Sequence, residues 1–179
     1  NPFQDYIHIF PKNDSDEFIL TNVLGKVIYS GKDIEDQNFS TLEEGIYFDA
    51  GTGRGIGVEV RVTDKRGKSL LNEVVPDEKV NEFGNYLCPK GSTNNYGELM
   101  GIYIALKLAA KIGELKIFGD SKLIIEYWSK GFAKINELNE ETAKLIGLVK
   151  ELRIKFEEAG GKVQHVSGDY NPSDLGFHR

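Results

Sequence analysis

The stretch that most constrains the fold runs from Ser92 to Leu106 and reads STNNYGELMGIYIAL. Counted from Glu98, apolar residues recur at the fourth, seventh, eighth and eleventh positions, which places them on one face of an α-helix. They are Ile102, Ala105, Leu106 and Ala109. Glu98 shares that apolar face, where a carboxylate is unfavourable unless a positive or hydrogen-bonding group meets it. We therefore expect the rest of the chain to supply a partner for Glu98.

The composition is that of a globular protein. The chain has 179 residues, of which 40% are hydrophobic and 28% charged, and this suits one domain with or without an appendage. No apolar run reaches the roughly 20 residues of a membrane span, and the N-terminus lacks a signal-peptide pattern. The single cysteine, Cys88, favours a reducing, cytoplasmic location. The net charge of −6 argues weakly against a nucleic-acid partner, but acids gathered to hold metal produce the same balance.

Two segments of different pattern divide the chain. Residues 1–44 contain two β-prone runs around Gly25, which predict a hairpin; this extension either packs on the main domain or is the remnant of an upstream module. From Gly45 onward the pattern predicts three antiparallel strands, a helix, a buried strand, further helices and a final strand. The second and third strands are expected on either side of a turn at residues 65–67. This order predicts a mixed α/β sheet with helices on its faces.

Three more acids occur near the ends of predicted strands. Asp49 ends the first strand of the main segment, Asp120 ends the buried strand, and Asp174 follows the last strand, where it opens a short helix. Since strand ends of open α/β sheets gather at one edge, these side chains and Glu98 are expected to converge. Converging carboxylates repel one another unless divalent cations neutralise them, and oxygen-only ligands suit Mg²⁺ or Mn²⁺. Two such ions roughly 3.5–4 Å apart are suited to phosphodiester hydrolysis. Taken singly, each of the three aspartates also has a simpler interpretation as a turn former or a helix-terminal acid.

Four segments resemble, in order, the signature segments of type 1 ribonuclease H: YFDAGT, TNNYGELMGIYIAL, IFGDSKLIIEYWSKG and HVSGDYNPSDL. The resemblance covers about residues 45–179 and implies a catalytic domain there, which follows the N-terminal hairpin-like extension predicted over residues 1–44. It implies a ribonuclease H-like α/β fold, in which a mixed five-stranded sheet has three antiparallel strands followed by parallel strands and is flanked by helices. The implied activity is endonucleolytic cleavage of the RNA strand of an RNA–DNA hybrid, leaving 5′-phosphate and 3′-hydroxyl ends.

The resemblance also implies which residues hold the metal. Asp49, Glu98, Asp120 and Asp174 match the four catalytic carboxylates of the family, which would bind two Mg²⁺ or Mn²⁺ ions in each site. The partner is then the RNA–DNA hybrid, and we expect a monomer that needs neither a membrane nor an obligatory protein partner.

Substrate contacts are implied for two short segments. Asn94 and Asn95 match asparagines that reach the minor groove of the hybrid, where an amide can hydrogen-bond a 2′-hydroxyl. Thr93 matches a position associated with a DNA phosphate. Gly51 and Thr52 begin a glycine-rich loop whose backbone would approach the RNA closely. The alternatives are a helix-capping loop for the asparagines and a flexible strand connection for the glycines.

The sequence departs from the family pattern in two places. Many members carry a histidine in the loop before the last aspartate, whereas SGDYNP contains Asp169 and no histidine, with His178 beyond it as a further auxiliary candidate. This compact loop resembles the archaeal-type branch of the family. The chain also lacks the Trp- and Lys-rich basic protrusion of some bacterial members.

Two other functions share parts of this pattern. A nuclease of the same fold that acts on DNA would keep the four acids, but the TNN segment argues against it. A non-catalytic protein that binds hybrids or double-stranded RNA would have no need to keep all four carboxylates. Both remain alternatives to the ribonuclease H hypothesis.

Overall fold

The computed structural model describes residues 8–11, 17–21, 27–32, 42–52 and 54–176. The chain divides into two compact units, Asn1–Thr41 and Leu42–Arg179. The roles predicted for residues 1–44 and 45–179 stay predictions.

The first unit contains a three-stranded antiparallel sheet. Its strands, in spatial order, are β1 (His8–Pro11), β2 (Glu17–Thr21) and β3 (Val27–Lys32). β2 and β3 form the predicted hairpin, and β1 is a strand that the sequence analysis did not identify.

The second unit is built on a mixed five-stranded sheet. Its central strand β4 (Ile46–Gly51) pairs antiparallel with β5 (Glu59–Thr63), which pairs antiparallel with β6 (Tyr86–Leu87). On its other side, β4 pairs parallel with β7 (Lys116–Gly119), and β7 pairs parallel with β8 (Lys162–His165). The strand order β6–β5–β4–β7–β8 confirms the predicted ribonuclease H-like α/β fold.

Three α-helices accompany the sheet within the described residues: α1 (Asn94–Ile112), α2 (Lys122–Glu126) and α3 (Glu140–Glu158). α1 packs against β4, β5 and β7, and α3 packs against α1. The short 3-10 helices are Leu71–Glu73, Asp77–Lys79, Trp128–Lys130, Ile135–Glu137 and Gly168–Tyr170. Across the described ranges, no helix combines the length and apolarity required to span a bilayer.

Helix α1 begins and ends at residues that are typical of helix termini. The hydroxyl oxygen of Thr93 accepts a hydrogen bond from the backbone N–H of Tyr96 at 3.2 Å, and this caps the first turn. Gly113 ends the helix in the left-handed conformation, with φ of 75°. Both signals can be read in the sequence because they are local.

Two glycines allow α1 to lie close to the sheet. A Cβ at Gly97 would lie 2.3 Å from Cγ1 of Val58, and a Cβ at Gly101 would lie 2.8 Å from Cδ2 of Phe48. Neither distance leaves room for a methyl group. The close packing brings Glu98, next to Gly97, to the edge of the sheet.

The third antiparallel strand lies later in the chain than predicted. After the turn at residues 65–67 there is only an isolated bridge from Thr63 to Ser69, followed by the 3-10 helix at Leu71–Glu73. The backbone N–H of Val75 donates to the carbonyl of Leu71 at 2.8 Å, so these two buried side chains share one side of a helical turn. Their spacing of four residues is helical, and it outweighs the β-propensity of the segment.

The prediction of a helix that opens at Asp174 is also wrong. Residues 171–176 form turns, in which the N–H of Asp174 donates to the carbonyl of Asn171 at 2.9 Å. Buried side-chain hydrogen bonds of this segment, described below, favour the turn over a helix.

Candidate metal centre and substrate cleft

Three carboxylates converge at the edge of the five-stranded sheet. Asp49 lies on β4, Asp120 directly follows β7, and Glu98 lies in the second turn of α1. Each of the three offers an oxygen atom, and these oxygens all lie within 4.8 Å of one another. The parallel pairing of β4 with β7 brings the ends of both strands to this edge, and the close approach of α1 adds Glu98. The partners of Glu98 are therefore two other acids.

In each of the two buried carboxylates, only one of the two oxygens accepts a hydrogen bond from the described residues. Oε1 of Glu98 accepts from the N–H of Ala50 at 3.3 Å, and Oδ2 of Asp49 accepts from the N–H of Leu175 at 2.9 Å. Oδ1 of Asp49 and Oε2 of Glu98 are buried without a hydrogen-bond partner in the described part of the chain. A buried acceptor left in this state costs about 1–3 kcal/mol, and more when it is charged. Both oxygens therefore call for a proton or a cation.

The pKa values of the two buried acids are both raised, which shows that each carboxyl group favours a bound proton more than usual in the absence of metal. Burial, reinforced by the charges of Asp49 and Asp120, raises the pKa of Glu98 to about 9. Burial also raises the pKa of Asp49 to about 6, where the hydrogen bond from Leu175 lowers it and the charge of Asp120 raises it. A protonated Glu98 can donate to Asp49, which relieves the repulsion between them.

The donor set fits a hard divalent cation. A cation bound by Asp49, Glu98 and Asp120 would neutralise the repulsion between the carboxylates. It would also give the two buried oxygens that lack a hydrogen bond a positively charged partner. All three ligands are carboxylates, which Mg²⁺ and Mn²⁺ accept.

Asp174 lies beside this cluster rather than within it. It is half-buried and lines the same cleft, but it is not among the three residues whose oxygens lie within 4.8 Å of one another. Of the four predicted ligands, the structure thus brings three into direct convergence and places the fourth on the wall of the cleft.

Buried polar side chains fix the segment that carries Asp174. The amide nitrogen of Asn171 donates to the carbonyl of Phe48 at 2.9 Å, and its oxygen accepts from the N–H of Ser173 at 3.0 Å. The hydroxyls of Ser173 and Thr63 are 2.8 Å apart, and both residues are fully buried. The segment is therefore fastened to β4 and β5. Sequence reasoning missed Asn171 and Ser173 because a polar residue beside a turn gives no sign that it will be buried.

The cleft next to the carboxylates has a volume of about 650 Å³. Asn94 and Asn95 are exposed in the first turn of α1 and line it. Thr93 is exposed as well and caps the helix. The asparagines and the carboxylates thus share one cleft, while the predicted contacts with substrate stay predictions.

Gly51 and Thr52 differ in exposure. Gly51 is buried at the end of β4, where it pairs with Glu59, whereas Thr52 is exposed just beyond the strand.

The two auxiliary candidates differ in what the structure describes. Asp169 is exposed and lines the cleft, whereas His178 lies outside the described residues. His165, at the end of β8, places Nε2 at 3.1 Å from the carbonyl oxygen of Asp120, a contact that the sequence analysis did not foresee.

Comparison with known proteins finds a likeness among solved structures. No family model matches the chain, and no curated protein matches it. Among solved structures, it is similar to the RNase H1 of the halophilic archaeon Halobacterium salinarum NRC-1. The two chains share 20% sequence identity over 73% of this chain and 89% of that chain, with a TM-score of 0.39. A likeness at this TM-score transfers no function, so the functional assignment rests on the geometry of the carboxylates.

Proposed function

We propose that this protein is a metal-dependent type 1 ribonuclease H of the archaeal-type branch. It hydrolyses the RNA strand of RNA–DNA hybrids to 5′-phosphate and 3′-hydroxyl ends. The observation that carries this proposal is the convergence of oxygens of Asp49, Glu98 and Asp120 within 4.8 Å, two oxygens of the cluster having no hydrogen-bond partner among the described residues. The four sequence segments that resemble the family supply the substrate class.

Asp49, Glu98 and Asp120 would hold the divalent ions, and Asp174 would complete the coordination from the wall of the cleft. When bound, two Mg²⁺ or Mn²⁺ ions activate the attacking water and stabilise the leaving oxygen of the phosphodiester. The hydrogen bonds from Ala50 and Leu175 orient Glu98 and Asp49, so that the unpaired oxygen of each is fixed before metal binds.

Recognition of RNA falls to the first turn of α1. Asn94 and Asn95 are exposed in the cleft, and their amides can hydrogen-bond a 2′-hydroxyl, the group that distinguishes RNA from DNA. Thr93 would contact the DNA strand, and Thr52, with the backbone of Gly51, the RNA strand.

The protein is further proposed to act as a monomer in the cytoplasm, without an obligatory partner protein. The lone thiol, Cys88, has no part in the chemistry, since burial raises its pKa to about 12 and keeps it protonated.

Cleavage of a labelled RNA–DNA hybrid tests the proposal, with Mg²⁺, with Mn²⁺ and with a chelator. Asp120→Asn should lower the metal-dependent rate by about 10²-fold or more, the scale of losing one group that stabilises developing charge. Hybrid binding should stay within about threefold, because one carboxylate contributes little to holding a polyanion. Asp77→Asn, the same substitution at an exposed site, should cleave like the wild type.

Duplex DNA and duplex RNA distinguish the alternatives. Equal cleavage of duplex DNA would favour a DNA nuclease, and tight hybrid binding without any cleavage would favour a binding protein. Unchanged cleavage by Asp120→Asn would contradict the mechanism outright.

A further inference from the structure

A fully buried carboxylate lies on β5, outside the metal cluster. Oε1 of Glu59 accepts from Nε of Arg54 at 3.1 Å, and its Oε2 accepts from the side-chain amides of Asn81 and Asn85, both at 2.9 Å. A buried charge is strongly unfavourable unless it is paired and hydrogen-bonded in this way. Glu59 is therefore a firm anchor, and one of the groups it anchors is the guanidinium of Arg54.

Phe83 fixes the same guanidinium from another direction. The central carbon of the Arg54 guanidinium lies 4.0 Å from the centroid of the Phe83 ring, a cation–π contact. The edge of the guanidinium is bonded to Glu59 and its face rests on the ring, so its plane and direction are set. About a third of the Arg54 side chain stays exposed, at 32%.

Asn81 joins the two supports of Arg54. Its amide nitrogen donates to Glu59, while its oxygen accepts from the backbone N–H groups of Phe83 and Asn85, both at 3.0 Å. One side chain thus connects the buried carboxylate to the turn that presents the aromatic ring. The arrangement is built to hold an exposed, oriented guanidinium.

This guanidinium is anchored near the metal cluster. Glu59 pairs with Gly51, which lies two residues beyond Asp49 on β4. With a rise of about 3.4 Å per residue and about 4.8 Å between strands, the backbone of Glu59 is roughly 8 Å from that of Asp49. The anchor of Arg54 therefore lies on the strand next to the one that carries Asp49, close to the metal cluster.

We propose that Arg54 binds a backbone phosphate of the substrate, and that Glu59 and Phe83 are its positioning residues. The inference rests on the proposed function, because it takes the polyanion to be the hybrid that enters the cleft. A guanidinium matches phosphate geometry, and one that is already oriented loses less entropy on binding. It also offsets the repulsion between the acidic cluster and the incoming strand.

The test is the salt dependence of hybrid binding, measured without metal so that no cleavage occurs. Between about 50 and 200 mM salt, Arg54→Gln should reduce the steepness of log K against log salt by about 0.7–0.9, the value for one phosphate contact. Lys155→Gln is the matched control, because it removes one exposed positive charge near the end of α3. Its slope should equal that of the wild type. Under cleavage conditions, Arg54→Gln should raise KM and leave kcat at saturating hybrid unchanged.

Glu59→Gln separates positioning from folding. Its oxygen can still accept from Asn81 and Asn85, but its amide N–H would face Nε of Arg54, so the donor no longer has an acceptor there. We expect this variant to lose the same part of the salt slope although Arg54 is present, and Arg54→Gln to have no further effect in its background. Phe83→Leu keeps apolar volume and removes the ring face, so its salt slope should lie between those of the wild type and Arg54→Gln. This variant tests the positioning of Arg54 even if Glu59→Gln does not fold.

The outcomes separate this inference from the proposed function. If the wild type binds and cleaves the hybrid and Arg54→Gln keeps the wild-type salt slope, the phosphate contact is refuted and the nuclease stands. If the wild type neither binds nor cleaves the hybrid, both are overturned. A reduced slope in Arg54→Gln and Glu59→Gln, with a normal slope in Lys155→Gln, establishes the contact.

Discussion

Glu98 is buried beside two other carboxylates, with Oε2 unpaired in the described part of the chain. A proton and a metal ion can each stabilise that oxygen, and they compete for it. Proton binding weakens as the pH rises, whereas metal binding strengthens, because the ligand must be deprotonated. The metal-free and metal-bound proteins should therefore respond to pH in opposite ways.

The direction in which the stability of the metal-free protein changes with pH follows from the pKa values of Glu98 and Asp49. In the folded protein they are about 9 and about 6, above the ordinary values of 4.5 and 3.8. Between the ordinary and the folded values, the folded state keeps protons that the unfolded chain has released, so the free energy of unfolding falls as the pH rises. We expect the thermal midpoint of the metal-free protein to decrease steadily from about pH 4 to about pH 9, and millimolar Mg²⁺ to restore it most strongly at the alkaline end.

Glu98→Gln should remove most of this behaviour. A glutamine carries no charge and its amide can donate to Asp49, so we expect the metal-free variant to be stabilised by about 1–3 kcal/mol at about pH 8. The same variant should lose the stabilisation by Mg²⁺. Glu151→Gln, at an exposed position on α3, should match the wild type in both respects. Thermal melts with and without metal measure all three proteins, and a destabilised metal-free Glu98→Gln would speak against the repulsive cluster.

At the scale of elements, the site depends on how close α1 lies to the sheet. Gly97 and Gly101 permit contact with Val58 and Phe48, and the next residue after Gly97 is Glu98. Any displacement of the helix would move one ligand of the cluster relative to the other two. The packing of α1 and the geometry of the metal site are therefore coupled.

Gly97→Ala should show this coupling. The added Cβ would lie 2.3 Å from Cγ1 of Val58 and 2.9 Å from Cβ of Ala50, so the helix has to shift. We expect a loss of about 1–3 kcal/mol in the free energy of unfolding from overpacking. Because a displacement of about 1 Å can cost 10²-fold in rate, cleavage should fall by about that factor.

Gly147→Ala is the matched control for Gly97→Ala. Gly147 is exposed in the interior of α3, and a Cβ there would have no atom of the described residues within 4 Å. This variant should gain about 0.5–1 kcal/mol from helix propensity and keep full activity. Denaturant titration and hybrid cleavage compare the two variants. Full activity of Gly97→Ala would show that the position of Glu98 tolerates a shift of the helix.

The predictable parts of this protein are those whose signals are local. The apolar period of α1, its Thr93 cap and its terminal Gly113 all lie in one continuous stretch of sequence. The strand that leads to Asp120 is likewise a single short apolar run. The two-residue strand β6 lacks such a pattern, since its place in the sheet depends on β5.

Asp174 shows which part of the site could not be predicted from the sequence. Its segment is held by a hydrogen bond between Asn171 and Phe48, which are 123 residues apart, and by one between Ser173 and Thr63, which are 110 apart. Sequence spacing carries no information about such pairs. The sequence therefore predicts that Asp174 lies near the site but leaves its distance from the cluster open.

At the scale of the whole molecule, the second unit contains everything that the proposed chemistry uses. Its buried apolar cluster runs from Ile46 to Phe156, and the metal cluster and the cleft lie between residues 49 and 176. The unit Leu42–Arg179 has the size of an ordinary domain, large enough to bury its own core. We infer that its folding and its chemistry do not require residues 1–41.

Expression of residues 42–179 alone tests that inference. We expect one cooperative unfolding transition, with a midpoint within about 4 °C of the corresponding transition of the full chain, since that shift corresponds to only about 1–2 kcal/mol. The rise in midpoint with Mg²⁺ should be the same, because the ligands of the metal all lie in this unit. At saturating hybrid the cleavage rate should equal that of the full chain, whereas a rise in KM alone would assign residues 1–41 to substrate binding, as uniform binding energy requires. A fragment that unfolds without cooperativity, or that folds but loses its cleavage rate at saturation, would show instead that residues 1–41 help to form the active domain.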